Sequence, residues 1–163
     1  MSASRRWPAV VGSVMSLAGL GVSAYLTYAH YAAHATLACP ESSIVNCEKV
    51  TSSSYSSMFG IPVVLLGLAF FAAMLALQSP AAWRAASRAV KAARLGAVTV
   101  GVPMVFWLVY AELFRLRAIC LWCTAVHVLT LALFATTVWA AATEIDEAEY
   151  DEGEPDEEAE ALL

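Results

Sequence analysis

The sequence predicts an all-α membrane protein: a four-helix transmembrane bundle with an extracytoplasmic cysteine loop. Three observations carry this. Hydrophobic residues make up 60% of the chain and charged residues 14%, against an apolar content of about 45–50% in ordinary globular domains. The excess is gathered into blocks. Pro8 to Ala29, Tyr55 to Trp83, Leu95 to Ala111 and Ile119 to Thr143 contain no Lys, Arg, Asp or Glu, and a helix crosses a hydrocarbon core with about 20 apolar residues. Third, the basic residues are unevenly shared between the connections, which orients the bundle in a bilayer.

The first helix is expected over about residues 8–29. Arg5 and Arg6 precede it, and Ala33-His34-Ala35 has the small-x-small form of a cleavage site. The apolar stretch exceeds the roughly 7–15 residues of a signal-peptide core, so it reads as a retained span. Cys39 and Cys47 follow in the first connection. The second helix is expected over about 59–79, with Pro62 near its start, where a missing N–H is tolerated. Arg84, Arg88, Lys91 and Arg94 fill the next connection. The third helix is expected over about 95–112, with a kink at Pro103. Glu112 to Ala118 connect it to the fourth, about 119–142.

Six basic residues (Arg5, Arg6, Arg84, Arg88, Lys91, Arg94) fall on one side and three (Lys49, Arg115, Arg117) on the other. The positive-inside rule makes the first side cytoplasmic, so both termini lie in the cytoplasm of a multi-pass cell-membrane protein. Residues 1–143 then form the helical domain. The net charge of −5 is local, because eleven of the 14 acidic residues lie between Glu144 and Glu160. Like charges with few hydrophobes predict a disordered acidic tail over 144–163. The bilayer is the expected partner, and no nucleic-acid partner is expected.

All four cysteines fall on the outward side, where disulfides persist. Cys120 and Cys123 form a CxxC pair at the start of the fourth helix. As a structural staple that pair closes a very short loop and constrains little chain entropy. As a reactive pair it is well placed: unpaired N–H groups at a helix N-terminus stabilise a thiolate. Zinc is disfavoured, because Cys39 and Cys47 stand eight apart rather than about two to four; no metal site is expected. At 3.6 residues per turn Cys120 and Cys123 lie roughly 60° apart, and His127 lies roughly 40° from Cys123 and one turn deeper. An ionisable side chain inside a span is usually functional. The chain carries no flavin or dinucleotide fingerprint, so electrons from this pair need a lipid-soluble acceptor. A quinone fits, with His127 hydrogen-bonded to its carbonyl. The loop CPESSIVNC is short, polar and tied only at its ends, which leaves it free to bring a cysteine to the CxxC pair. The competing class is a non-catalytic tetraspan protein with structural disulfides.

Three stretches, CPESSIVNCEKVTSS (Cys39 to Ser53), SSMFGIP (Ser56 to Pro62) and CLWCTAVH (Cys120 to His127), together resemble the bacterial disulfide-forming branch of the vitamin K epoxide reductase family. The resemblance implies a thiol:quinone oxidoreductase using menaquinone or ubiquinone. Cys123 is then the thiol nearest the ring, Cys120 exchanges with Cys47, and Cys39 meets the external protein. Ser53 and His127 become quinone contacts, and Ser56 and Phe59 align with a pocket-lining stretch. Some relatives fuse a thioredoxin-like domain after the helices. Here the acidic tail follows, so the expected partner is a separate thioredoxin-like disulfide donor. The bacterial disulfide-bond B proteins run comparable chemistry with the two cysteine pairs in the opposite order.

Overall fold

The turn Phe59-Gly60 decides where the second membrane helix begins. Both residues are left-handed, with φ of 52° and 80°, the combination that a tight two-residue hairpin turn requires. They close β1 (Ser57–Met58) against β2 (Ile61–Pro62). The helix therefore starts at Val63, four residues later than expected. The Gly and Pro that marked a helix start mark a hairpin instead.

The structure is a computed structural model describing residues 3–32, 37–40, 42–85 and 87–153. Its helices are α1 (Ala3–Tyr31), α2 (Cys47–Thr51), α3 (Val63–Gln78), α4 (Pro80–Ala85), α5 (Arg88–Tyr110) and α6 (Leu121–Gly153). A six-residue π-helical turn, Ala111–Leu116, prolongs α5. Trp7–Tyr31, Arg88–Leu116 and Leu121–Thr143 are each long and apolar enough to cross a membrane. The remaining apolar helix, α3, has 16 residues, about 24 Å at 1.5 Å per residue. The protein is thus an all-α membrane bundle.

Two further boundaries differ from expectation. The helix α5 begins at Arg88 rather than about 95, because Ser87 caps it by accepting the Val90 N–H at 3.3 Å and Arg and Lys are good helix formers. The helix α6 continues through residues 144–153, where a disordered tail was expected. Ala and Glu favour helix, and extending a formed helix needs no new nucleus. The rest of the expected tail, 154–163, lies outside the described residues.

Around the bundle the order is α1, α3, α5, α6, with α6 returning to α1. Phe71 and Met74 of α3, Val98 of α5 and Leu133 of α6 form the buried centre. Gly19 makes room for it: a Cβ there would overlap the Phe71 ring. Small residues at membrane helix contacts let large neighbours approach in this way.

A polar knot closes one end. Buried Gln78 donates to Thr137 Oγ1 at 2.9 Å and accepts from Trp83 Nε1 at 3.1 Å. Arg94 donates to the Leu77 carbonyl through Nε and Nη2 and lies 3.8 Å over the Trp83 ring. Satisfied polar side chains hold helices together where apolar ones cannot choose lipid from protein. The cysteines gather at the opposite end, where α3 and α6 begin.

Candidate functional site

The chain reverses sharply into α6. Arg117 adopts a left-handed conformation (φ 50°), ending the π-helical turn and directing Ala118 and Ile119 back toward the first connection. Cys120 then occupies the N-cap position. Its Sγ accepts the Cys123 N–H at 3.4 Å and its carbonyl accepts the Thr124 N–H at 2.8 Å. A sulfur here does what a Ser or Asp oxygen does at other helix starts. Cys120 stands just ahead of the apolar span. Its thiol is held below the ordinary thiol range, first by the side-chain hydrogen bond with Cys123, then by the Cys123 N–H, against the opposing effect of burial. Cys120 and Cys123 are both free thiols.

Cys39 and Cys47 form a disulfide (S–S 1.97 Å, Cα–Cα 6.3 Å). Cys47 opens α2, which Asn46 caps by accepting the Lys49 N–H at 2.8 Å. Cys47 and Cys120 are buried in one cluster with Val50 and Ala118, while Cys39 at its edge is only partly buried. The loop is tied along its length, not only at its ends as expected. Ile119 N–H donates to Ile44 O at 2.9 Å, Asn46 N–H donates to Ile119 O at 3.1 Å, and Val45 bridges Ile119 in parallel. Trp122, between the CxxC cysteines, donates Nε1–H to Ala38 O at 2.9 Å, and the Ala38 N–H donates to Tyr25 OH at 3.0 Å. Cys47 therefore already sits beside Cys120, with little loop closure left to make.

Below this cluster lies an apolar cavity of about 620 Å³ counting its open mouth. Cys123 and His127 of α6 reach its wall, but Cys120 does not. Ser53 and Ser56 line it too. Their hydroxyls already donate, Ser53 to Val50 O at 2.8 Å and Ser56 to Ser53 O at 2.6 Å, so they face the cavity chiefly as acceptors. His127 is 5% exposed. Phe59, expected in the pocket, is at the hairpin tip, 97% exposed and away from the wall. The left-handed turn carries it outward. Tyr55 stands at the wall and accepts Arg115 Nε–H at 2.7 Å.

Two wall residues were not singled out in the sequence. Ser23 of α1 is 2% exposed, and among the described residues its Oγ is the buried side-chain polar atom without a hydrogen-bond partner. Buried hydroxyls are nearly always paired, so this one points to something the cavity receives. Ser16, seven residues earlier, is also buried; that spacing marks one helix face and was the available signal. Glu112 is 5% exposed and lines the same wall. The sequence places it first in an outward connection, but the π-helical turn rolls it inward. Its carbonyl accepts N–H groups of Arg117 and Ala118, the latter at 3.1 Å.

A helix bundle that caps a span with one cysteine, turns the next into an apolar cavity, and packs a second cysteine pair against the first has the build of a membrane thiol–disulfide redox protein. The vitamin K epoxide reductase family model matches residues 10–138, and the chain belongs to that family. The match spans all four cysteines, the pocket serines Ser23, Ser53 and Ser56, and His127. The family's chemistry is membrane oxidoreduction that links disulfides to quinones.

Proposed function

We propose that this protein is a quinone-dependent thiol oxidase of the cell membrane, which reoxidises a separate thioredoxin-like disulfide donor outside the cytoplasm. The observation that carries the reading is the division of labour in the CxxC pair: Cys120 is packed on Cys47, and Cys123 faces the cavity. The uneven loop charges support a cysteine end outside and both termini inside.

The cavity residues suit a quinone. The wall is mostly apolar surface, with Ser23, Thr51, Ser53, Tyr55, Ser56, Glu112 and His127 as its hydrogen-bond formers. Ligand pockets are typically built from such a lining with a few placed polar groups. The unpaired Ser23 hydroxyl is a ready donor to a carbonyl. When bound, menaquinone or ubiquinone supplies a two-electron, two-proton oxidant.

The chain's own steps are thiol–disulfide exchanges. A donor thiolate attacks Cys39, the more accessible sulfur, and Cys47 leaves as a thiolate. The second donor thiol then displaces Cys39, giving oxidised donor and a Cys39/Cys47 dithiol. Cys47 attacks Cys120 of an oxidised CxxC pair and releases Cys123; Cys39 resolves the Cys47–Cys120 bond. The result is a restored Cys39–Cys47 disulfide and a Cys120/Cys123 dithiol beside the cavity. Two electrons and two protons leave that dithiol for the quinone as its disulfide closes again. His127 and Ser23 orient the acceptor, and the aliphatic wall excludes water.

Purified protein, mixed with a quinone and a reduced thioredoxin-like protein, is expected to consume quinone absorbance as donor thiols disappear. In membranes depleted of quinone, Cys120 and Cys123 should accumulate as thiols. Inert cysteines and no quinone consumption would return the chain to the class of tetraspan proteins with structural disulfides. Ser23→Ala is expected to raise the KM for quinone roughly fivefold, the loss of one hydrogen bond of about 1 kcal/mol. The same change removes an unpaired buried hydroxyl, so thermal stability should hold or rise; an unchanged KM would take Ser23 out of the site.

A further inference from the structure

Glu112 is a buried acid with no part in the exchanges above, and its position links three parts of the site. The π-helical turn aims it at the cavity wall that Cys123 and His127 also reach. Its carboxylate is near enough to the backbone of Cys120 and to both CxxC thiols to interact with them electrostatically. The nearby cation is turned elsewhere: the Arg115 guanidinium donates to Tyr55 OH and stacks toward its ring. π-Helical turns inside α-helices are frequent at functional sites, because the extra residue re-aims the side chains around it. An acid inside a membrane span is expensive to keep and is a functional candidate by default.

We propose that Glu112 carries a proton between the CxxC pair and the cavity. The inference deepens the thiol-oxidase reading and rests on it. When the Cys120–Cys123 disulfide closes, two S–H bonds break, one S–S bond forms, and two electrons pass to the quinone. One of the two protons is taken by a Glu112 carboxylate oxygen and held at the wall until quinol formation consumes it. The other leaves along the His127 side. Glu112 ends each turnover as it began. Glu112, Cys123 and His127 line one cavity, so the proton is released, held and consumed along a single wall.

A structural role for Glu112, merely a polar side chain packed near the turn into Cys120, makes a different prediction. Glu112→Gln keeps an oxygen acceptor and loses the proton site. Under the proposal its kcat for quinone-dependent dithiol oxidation falls about 100-fold, the scale of positioned acid–base groups, with the KM for quinone unchanged. Glu112→Asp restores part of the rate. A second readout uses quinone-free protein: the infrared difference spectrum between disulfide and dithiol states of the CxxC pair should contain a carboxyl C=O band that Glu112→Gln removes. Wild-type rates in Glu112→Gln, or no such band, would overturn the proposal. If Glu112→Gln fails to fold, the Glu112→Asp protein still decides, because its shorter carboxyl should shift that band and an unshifted band rules Glu112 out. Wild-type protein that shows the band but no quinone-dependent turnover would instead remove the thiol-oxidase reading, leaving the proton exchange with the cysteines standing.

Discussion

Cys123→Ala is expected to end quinone reduction, by at least about 10⁴-fold, the scale on which loss of an enzyme's nucleophile is felt. Cys123 is the one cysteine on the cavity wall. Cys120 cannot replace it, being fully buried in the cluster with Cys47. The variant should also leave a trace of the relay. Without Cys123, the Cys120 thiol attacks the Cys39–Cys47 disulfide at Cys47, forming a Cys47–Cys120 disulfide and freeing Cys39 as a thiol. That exchange needs no external oxidant. Mass spectrometry of the alkylated variant should find the Cys47–Cys120 cross-link with Cys39 labelled. Residual quinone reduction near the wild-type rate would mean that Cys120, not Cys123, meets the acceptor.

Cys39→Ala should abolish oxidation of the thioredoxin-like donor while a small dithiol still turns over. The two substrates separate because they enter differently. A folded donor can reach only an accessible sulfur, and of the loop pair Cys47 is 2% exposed while Cys39 is partly buried at the cluster edge. A small dithiol is compact enough to enter the cavity and approach Cys123 on its wall. The measurement is a pair of rates on one preparation, with protein and small-molecule thiols. Retained oxidation of the protein donor would reverse the order of the relay.

Much of this was legible because it is local. Charge-free blocks of spanning length follow from composition alone, and CxxC at a helix start states its chemistry by position. Cys39, Cys47, Ser53 and His127 were found from spacing and resemblance, and the fold brings all of them to one end of the bundle. Phe59 was misplaced because helix and hairpin compete over the same apolar letters. The competition was decided by two left-handed residues, and Gly60 was the one sign of it. The loop reads as loose in the sequence because its ties to Ile119 and Trp122 join residues some 73 to 84 positions apart, beyond any local pattern.

The sequence by itself determined that this chain lives in a bilayer and which cysteine pair starts a helix. These depend on hydrophobic length and the N-terminal geometry of a helix, both read within a few turns of chain. Only the tertiary structure decided which cysteine faces the cavity and which faces the loop, that Ser23 is left without a partner, and that Glu112 turns inward. Those depend on rotational phase: a single π-helical turn, or the side from which a neighbouring helix arrives, sets what a side chain meets. In lipid, where every face of a helix is apolar, the sequence pattern carries little record of that phase.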